Sequence, residues 1–160
     1  MTLLERASSA RLRIHGVRTL FTRDTRESLA PLAGRVLVGV DDIEARWWVQ
    51  ENDPAWLGVG ATSNHLAQLS THTPDSPCAA CLHSVALPPG TIPTISFVSF
   101  WAGLLQACAL VCGQRNPVNI MVYPFALGGS GWAVSVCPSA NANCRIGCRA
   151  SQLAALTPLT

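Results

Sequence analysis

The alternation of apolar and polar residues divides the first third of the chain into short helices and strands. Leu3 to Leu12 has apolar residues at helical spacing, and Ile14 to Phe21 alternates as a half-exposed strand does. Thr25 to Leu32 can form a short helix with Thr25 as its N-cap. Arg35 to Val40 is a continuous apolar run, typical of a strand buried in a parallel sheet, and Ile43 to Gln50 has the pattern of a helix. This αβαβα order predicts an α/β fold.

The rest of the chain predicts further strands and one long helix. Trp56 to Ala61 is expected to form a strand, and the polar segment Thr62 to Pro77 is expected to lead to a loop that carries cysteines. Val118 to Tyr123 and Trp132 to Val136 predict a hairpin around the glycine-rich residues Gly128 to Gly131. No repeat or linker divides the sequence, so we expect residues 1–160 to form a single domain.

The apolar stretch Thr94 to Gly113 is long enough to raise the possibility of a transmembrane helix. It contains Gln106, however, and it has neither flanking Lys/Arg clusters nor aromatic residues at both ends. We therefore predict a buried helix of a soluble domain, packed against the sheet through Gly103 and Ala107. A small membrane protein built around this stretch is the alternative.

Composition and charge exclude several classes of protein. Apolar residues make up 49% of the chain and charged residues 12%, which excludes a disordered protein. All nine acidic residues lie at or before Asp75, so the second half is expected to be mostly buried. The net charge of +2 is too small to indicate nucleic-acid binding, and a chain without Lys cannot form a Walker-type phosphate loop. The N-terminus lacks an apolar stretch of signal-peptide length, which favours the cytosol and no membrane association.

Two closely spaced cysteine pairs are the strongest chemical signal. A tetrahedral metal ion takes two ligands from each of two short turns, and thiolates favour zinc. The predicted ligands are Cys78, Cys81, Cys144 and Cys148. His72 and His83 are possible substitutes, and unrelated thiols are the alternative. A redox role for the first pair is less favoured, because such pairs open a helix directly after a strand and this pair lies between prolines.

Two other patterns have a structural interpretation. Cys108 and Cys112 are four residues apart and share a helix face, where free cysteines are usually part of the core. Gly58 to Ser63 partly resembles a dinucleotide-binding fingerprint, but Ser63 replaces its last glycine. We expect neither to be functional.

Asp41 follows the predicted strand Arg35 to Val40 directly, at the edge where open α/β sheets bind ligands. An acid at this position can hold magnesium, and Arg46 on the next helix can contact a phosphate. A helix-capping role for the acidic pair Asp41 and Asp42, with a solvated Arg46, explains the same residues equally well. The residues alone leave both interpretations open.

The order of these elements resembles the ThiF/MoeB/HesA adenylyltransferases, the bacterial relatives of ubiquitin-activating enzymes. The resemblance covers about residues 12–150 and rests on four elements in order: the segment Val38 to Arg46, the cysteine pair at Cys78, the helix that runs from Pro93-Thr94 through Gly103 to Ala107, and the terminal cysteine pair. It implies a Rossmann-like sheet with a zinc-binding cysteine module.

The family uses Mg-ATP to adenylate the C-terminal glycine of a ubiquitin-like or sulfur-carrier protein, and it usually dimerises. The resemblance assigns Asp41 as the catalytic and magnesium- and ATP-contacting acid, and Arg46 as the Arg on the helix after it. It assigns the four paired cysteines as structural zinc ligands. Asp42 replaces the family's usual Asn and adds negative charge.

The family's opening βαβ unit, with its glycine-rich loop, would precede residue 1, and no Lys is available to contact phosphates. The resemblance therefore implies the C-terminal part of an adenylyltransferase domain, truncated at the N-terminus and inactive alone. We expect a homodimer or a complementing chain. The rival hypothesis is a non-catalytic, zinc-stapled protein-interaction module.

Overall fold

The computed structural model describes residues 16–25, 34–63, 65–83, 96–123 and 133–156. These residues form an α/β fold with five strands and four helices: β1 (Arg35–Val38), α1 (Ile43–Glu51), β2 (Trp56–Ser63), β3 (Leu66–His72), α2 (Ala79–Leu82), α3 (Ser96–Val111), β4 (Asn119–Val122), β5 (Ala133–Val136) and α4 (Arg149–Leu156). The helices predicted at 3–12 and 26–32, and the glycine-rich turn at 128–131, lie outside the described residues.

The five strands form one mixed, open sheet in the order β1-β2-β3-β4-β5. Strands β1 and β2 are parallel, with Val38 opposite Val59, and α1 makes the crossover between them. The other three pairings are antiparallel, including the predicted β4–β5 hairpin, in which Asn119 lies opposite Val136. The parallel pairing of β1 and the strand at β2 are therefore confirmed.

The two faces of the sheet are covered by different helices, because side chains alternate along β2. Leu57 and Val59 are completely buried on the face that packs against Val49 of α1. Trp56 points to the opposite face, where it packs with Ala109 of α3. Helices α1 and α2 contact each other on the Leu57 face of the sheet, and α3 lies across β2 and β3 on the Trp56 face.

The described part of the long apolar stretch forms a helix, α3, as predicted, but only one side of that helix is buried, so the expectation of a buried helix holds in part. Its sheet-facing side carries Val98, Ala102, Gln106 and Ala109. Gly103 and Ala107 lie on the exposed side, so the prediction that they pack against the sheet is wrong. Across the described residues, no helix has the length and apolar character needed to cross a membrane.

The polar segment Thr62 to Pro77 contains a strand that the sequence pattern did not predict. Strand β3 buries Ser70, Thr71 and His72 completely, because their polar atoms bond to one another and to the backbone. His72 Nε2 is 2.9 Å from the Ser70 hydroxyl, and Thr71 donates to the Asn116 carbonyl at 2.9 Å. Polar side chains with fully satisfied hydrogen bonds can occupy a core strand.

Two other expectations are corrected. Residues 16–21 of the predicted strand Ile14 to Phe21 have no regular structure, and Val17 and Leu20 are 67% and 77% exposed. No described strand pairs with this segment, so its alternation alone does not make a strand. Cys108 and Cys112 are exposed rather than part of the core, since they lie away from the sheet on α3.

Candidate metal centre and strand-end cleft

The four paired cysteines converge into one cluster. Their sulfur atoms all lie within 4.8 Å of one another, so the cluster can hold a metal ion. Cys78 Sγ is 3.8 Å from Cys81 Sγ and 3.4 Å from Cys144 Sγ, and Cys81 Sγ is 3.6 Å from Cys148 Sγ. Four sulfurs around one metal at about 2.3 Å would be separated by about 3.8 Å, which matches this spacing.

Each cysteine pair is held by a tight turn. Cys78 is the N-cap of the single helical turn α2, and the Cys81 N–H donates to the Cys78 carbonyl at 3.0 Å. The sequence predicted that this pair lies on a loop, whereas in the structure Cys78 and Cys81 lie at the start and within a single helical turn. In the tail, the Gly147 N–H donates to the Cys144 carbonyl at 3.1 Å, and Gly147 has a φ of 60°. Glycine adopts that left-handed conformation without strain, so the chain can turn back to bring Cys148 beside Cys144.

An apolar shell surrounds the sulfurs. Trp47 and Ala80 are buried against the cluster, and Ile43 and Ile146 pack on it. Trp47 Nε1 donates to the His83 carbonyl at 2.8 Å, and the Arg145 guanidinium lies 5.6 Å from the centre of the Trp47 ring. Helix α1 thus supports the cluster from one side and keeps water from much of it.

The surroundings set the protonation of the metal-free thiols. Burial raises the pKa of Cys78 far above its ordinary value and the pKa of Cys81 to about 11. Burial also raises the pKa of Cys148, but hydrogen bonds, first that of the Ser151 backbone, outweigh it and lower the pKa to about 7. Since thiolates are the metal-binding form, metal binding must displace protons from the buried pair.

Neither candidate substitute ligand belongs to the cluster, because the grouped ligand atoms are the four sulfurs alone. Both His72 ring nitrogens are engaged: Nδ1 lies 2.7 Å from the Pro77 carbonyl, and Nε2 faces Ser70. The Nε2 atom of His83 is buried and has no hydrogen-bond partner. Burial lowers the pKa of His83 to about 3, so this ring is neutral.

Asp41 lies at the carboxyl end of β1, where the sequence places it, and it is exposed. Asp42 caps α1 by accepting a hydrogen bond from the Glu44 N–H at 2.9 Å. Arg46 is buried, and its Nε and Nη2 donate to the Val40 carbonyl at 3.0 and 2.7 Å. Burial lowers the pKa of Arg46, while the carboxylates of Asp41 and Asp42 raise it. Arg46 therefore holds the Val40 backbone in place, and its positive charge interacts favourably with the two carboxylates.

Asp41 opens onto a cleft of about 160 Å³ between the strand ends and α3. Its other lining residues are small, apart from Gln106. The segment Gly58 to Ser63, which partly resembles a dinucleotide fingerprint, lies within strand β2 and is not a phosphate loop.

Gln106 is the residue that the sequence interpretation undervalued. Its Nε2 donates to the carbonyls of Val38 at 2.7 Å and Gly58 at 3.1 Å, which ties β1 to β2 immediately before Asp41. A Cβ atom on Gly60 would lie 2.7 Å from the Gln106 amide, so a larger residue there would push this amide away from its two carbonyl partners. A single amide in an uncharged helix, opposite glycines in a strand, is the signal that indicates such a contact.

Comparisons with known proteins do not extend this description. No protein-family profile matches the chain, and no curated protein matches it. The function must therefore be argued from the four sulfurs, the strand-end cleft and the order of elements that joins them.

Proposed function

We propose that this chain is a zinc-binding protein of the ThiF/MoeB/HesA type, whose Rossmann-like sheet serves the adenylation of a ubiquitin-like or sulfur-carrier protein. The observation that carries the proposal is the convergence of Cys78 and Cys81 with Cys144 and Cys148 into one four-sulfur cluster. The same chain also has an exposed acid, Asp41, at the end of a parallel strand. Cysteine module and strand-end acid occur in the order that the family requires.

Zinc is the metal that fits the cluster best. The ligand set is four thiolates, and sulfur-only tetrahedral sites are typical of structural zinc. The sulfur separations of 3.4 to 3.8 Å agree with that geometry. Thiols serve as ligands only when they are reduced, so we place the protein in the cytoplasm.

The zinc assignment is tested by elemental analysis of chain purified without added metal. We expect one zinc per chain, and less in Cys144→Ser. The matched control is Cys137→Ser, which removes an exposed cysteine outside the cluster. Equal zinc in all three proteins would remove Cys144 from the ligand set.

We propose further that the chain alone does not catalyse adenylation. Nucleotidyl transfer depends on cations and backbone donors aimed at the phosphates. In this chain Arg46 is committed to the Val40 carbonyl, and the sequence contains no Lys. Asp41 could hold Mg-ATP only if a complementing chain or a missing N-terminal segment supplied a glycine-rich βαβ unit.

ATP–pyrophosphate exchange in the presence of a ubiquitin-like carrier tests this proposal. We expect no exchange by the chain alone, and exchange after addition of a protein that carries a glycine-rich βαβ unit. The exchange should be lost in Asp41→Asn and kept in Glu44→Gln, which removes a neighbouring exposed charge. Robust exchange by the chain alone, lost in Asp41→Asn, would instead indicate a complete enzyme.

A second candidate function is a non-catalytic, zinc-stapled interaction module. It is favoured by the outer side of α3, where Phe97, Phe100 and Val111 are 47%, 65% and 85% exposed. Apolar residues on such a surface are typical of a protein interface, including a homodimer. Partner binding that survives Asp41→Asn but is lost in Phe100→Ser would favour the module over the enzyme.

A further inference from the structure

The metal cluster is open on one side. A cleft of about 440 Å³ lies between the end of α1, the turn before α2 and the start of α4, and Cys78 and Cys148 are among its lining residues. Cys81 and Cys144, in contrast, do not line it. A divalent ion with six waters occupies about 180 Å³ at the volume of liquid water, so the cleft admits a hydrated ion.

The polar wall of this cleft carries an excess of negative charge. Glu51, Asp53 and Asp75 contribute carboxylates, and among the lining residues Arg149 is the cation. Arg149 is already paired with Asp75 at 2.7 Å, in an ion pair that is largely exposed to solvent. The three carboxylates and one guanidinium give the lining residues a negative formal charge, which favours the approach of cations to Cys78 and Cys148 in the same cleft.

The geometry points to this cleft as the route by which the metal ion enters and leaves the four-cysteine site. The inference rests on the proposed metal binding and goes beyond it, because it makes the site exchangeable from one defined direction. Charged clefts raise the association rate of oppositely charged ligands, and the effect falls with ionic strength. Carboxylates that do not ligate the metal should therefore change the rate of loading and leave the ligand geometry unchanged.

The test follows cobalt(II) uptake by the metal-free full chain, using the visible absorption of cobalt bound to thiolates. We expect the double variant Asp53→Asn/Asp75→Asn to load about tenfold more slowly than the unsubstituted chain at low ionic strength. The difference should shrink in high salt, and the final spectrum should be the same. Asn tolerates the left-handed φ of 50° at position 53.

The matched control is Asp24→Asn/Glu44→Gln, which removes two exposed acids that do not line the cleft. A steric test complements the electrostatic one: Thr73→Trp at the cleft should slow both cobalt uptake and chelator-driven release several-fold. Glu44→Trp, outside the cleft, should slow neither.

Equal loading rates in the cleft double variant and its control, together with unchanged exchange in Thr73→Trp, would overturn the route while leaving metal binding intact. Failure of the unsubstituted chain to give a thiolate–cobalt spectrum would overturn the metal proposal and the route with it. Slow loading in the cleft variants alone would support the route.

Discussion

The cysteine cluster and the strand-end cleft are built on opposite principles. The cluster collects four ligands of one type from two distant turns, so its chemistry depends on convergence. The strand-end cleft has one exposed carboxylate, Asp41, and Arg46, which interacts with it electrostatically, is directed to the Val40 carbonyl. The first region brings four like side chains together, whereas the second uses its arginine to hold the strand end and leaves only a carboxylate facing solvent.

The difference teaches which sequence patterns determine chemistry. A pair of cysteines at short spacing restricts where both sulfurs can point, so two such pairs strongly indicate a shared metal. An acid followed by an arginine does not restrict the arginine in this way, because its long side chain can reach several partners. Packing decides the partner, and here it selects a backbone carbonyl.

The largest expected effect is the loss of thermal stability when the proposed metal is removed from the cysteine cluster, a change that does not involve the strand-end cleft. Chelation, or the Cys144→Ser substitution, should lower the melting temperature by about 10 °C or more. A structural zinc contributes several kcal/mol, and each kcal/mol is worth about 2–4 °C in a chain of this size. Thermal unfolding followed by circular dichroism is the measurement, with Cys137→Ser as control. An unchanged melting temperature would remove the cluster from the stabilising features.

The next effect concerns acid stability and belongs to neither region. Burial lowers the pKa of His72 to about 4, despite an opposing hydrogen bond to the Pro77 carbonyl. As the pH falls, the His72 imidazole takes up a proton in the unfolded chain at about pH 6.5 but in the folded chain only near pH 4. The contribution of neutral His72 to the free energy of unfolding is therefore complete above about pH 6.5 and is lost as the pH falls toward 4.

Up to about 3 kcal/mol of the unfolding free energy should be lost across that pH window because of His72. Urea unfolding at a series of pH values measures the loss. The slope should decrease in His72→Gln, where the buried His83 still contributes to it, and remain unchanged in His65→Gln, where the histidine is exposed. Identical slopes in both variants would show that His72 does not control acid unfolding.

A smaller effect tests the strand-end region directly. Gln106→Leu leaves the carbonyls of Val38 and Gly58 without the amide that now bonds to them, which should cost about 2 kcal/mol. Gln114→Leu removes an amide bonded to an exposed carbonyl and should cost little. Denaturant midpoints compare the two, and equal losses would contradict the special role of Gln106.

The smallest expected effect is the difference in unfolding free energy between substitutions of the adjacent acids Asp41 and Asp42. Asp42→Ala removes the N-cap of α1 and should cost about 1 kcal/mol, as helix caps do. Asp41→Ala should change the unfolding free energy by no more than about 0.5 kcal/mol, since exposed surface substitutions usually do not exceed that. Denaturant titration of both variants is sufficient. A larger loss for Asp41 would indicate that this acid is structural.

Much of the fold follows from local patterns, and the exceptions have physical causes. The apolar runs of β1 and β2 and the capped helix α1 could be predicted because burial and capping act over a few residues. Strand β3 could not, because its polar residues are stabilised by bonds to Asn116 and Val118, which are distant in the sequence. Local polarity carries no information about partners that far away.

The candidate sites divide in the same way. Cysteine spacing predicted the grouping of the four sulfurs because each pair is local, and the fold had only to bring two pairs together. The positions of Gly103 and Gln106 on α3 were harder to assign, because the helix is apolar on every side. The side that faces the sheet is shown by the contacts of Gln106 with two strands and by the packing of Val98, Ala102 and Ala109 on the strands.

The 66-position separation between Cys78 and Cys144 has a topological consequence. A single backbone cut between Leu82 and Asn143 would give two fragments, each of which carries one of the two cysteine pairs. If the cluster holds a metal ion, as we propose, the protein could be made as two separate polypeptides whose reassembly depends on that metal as well as on strand pairing. A chelator would then weaken the association of the two fragments, so assembly of separately expressed fragments could be controlled by metal.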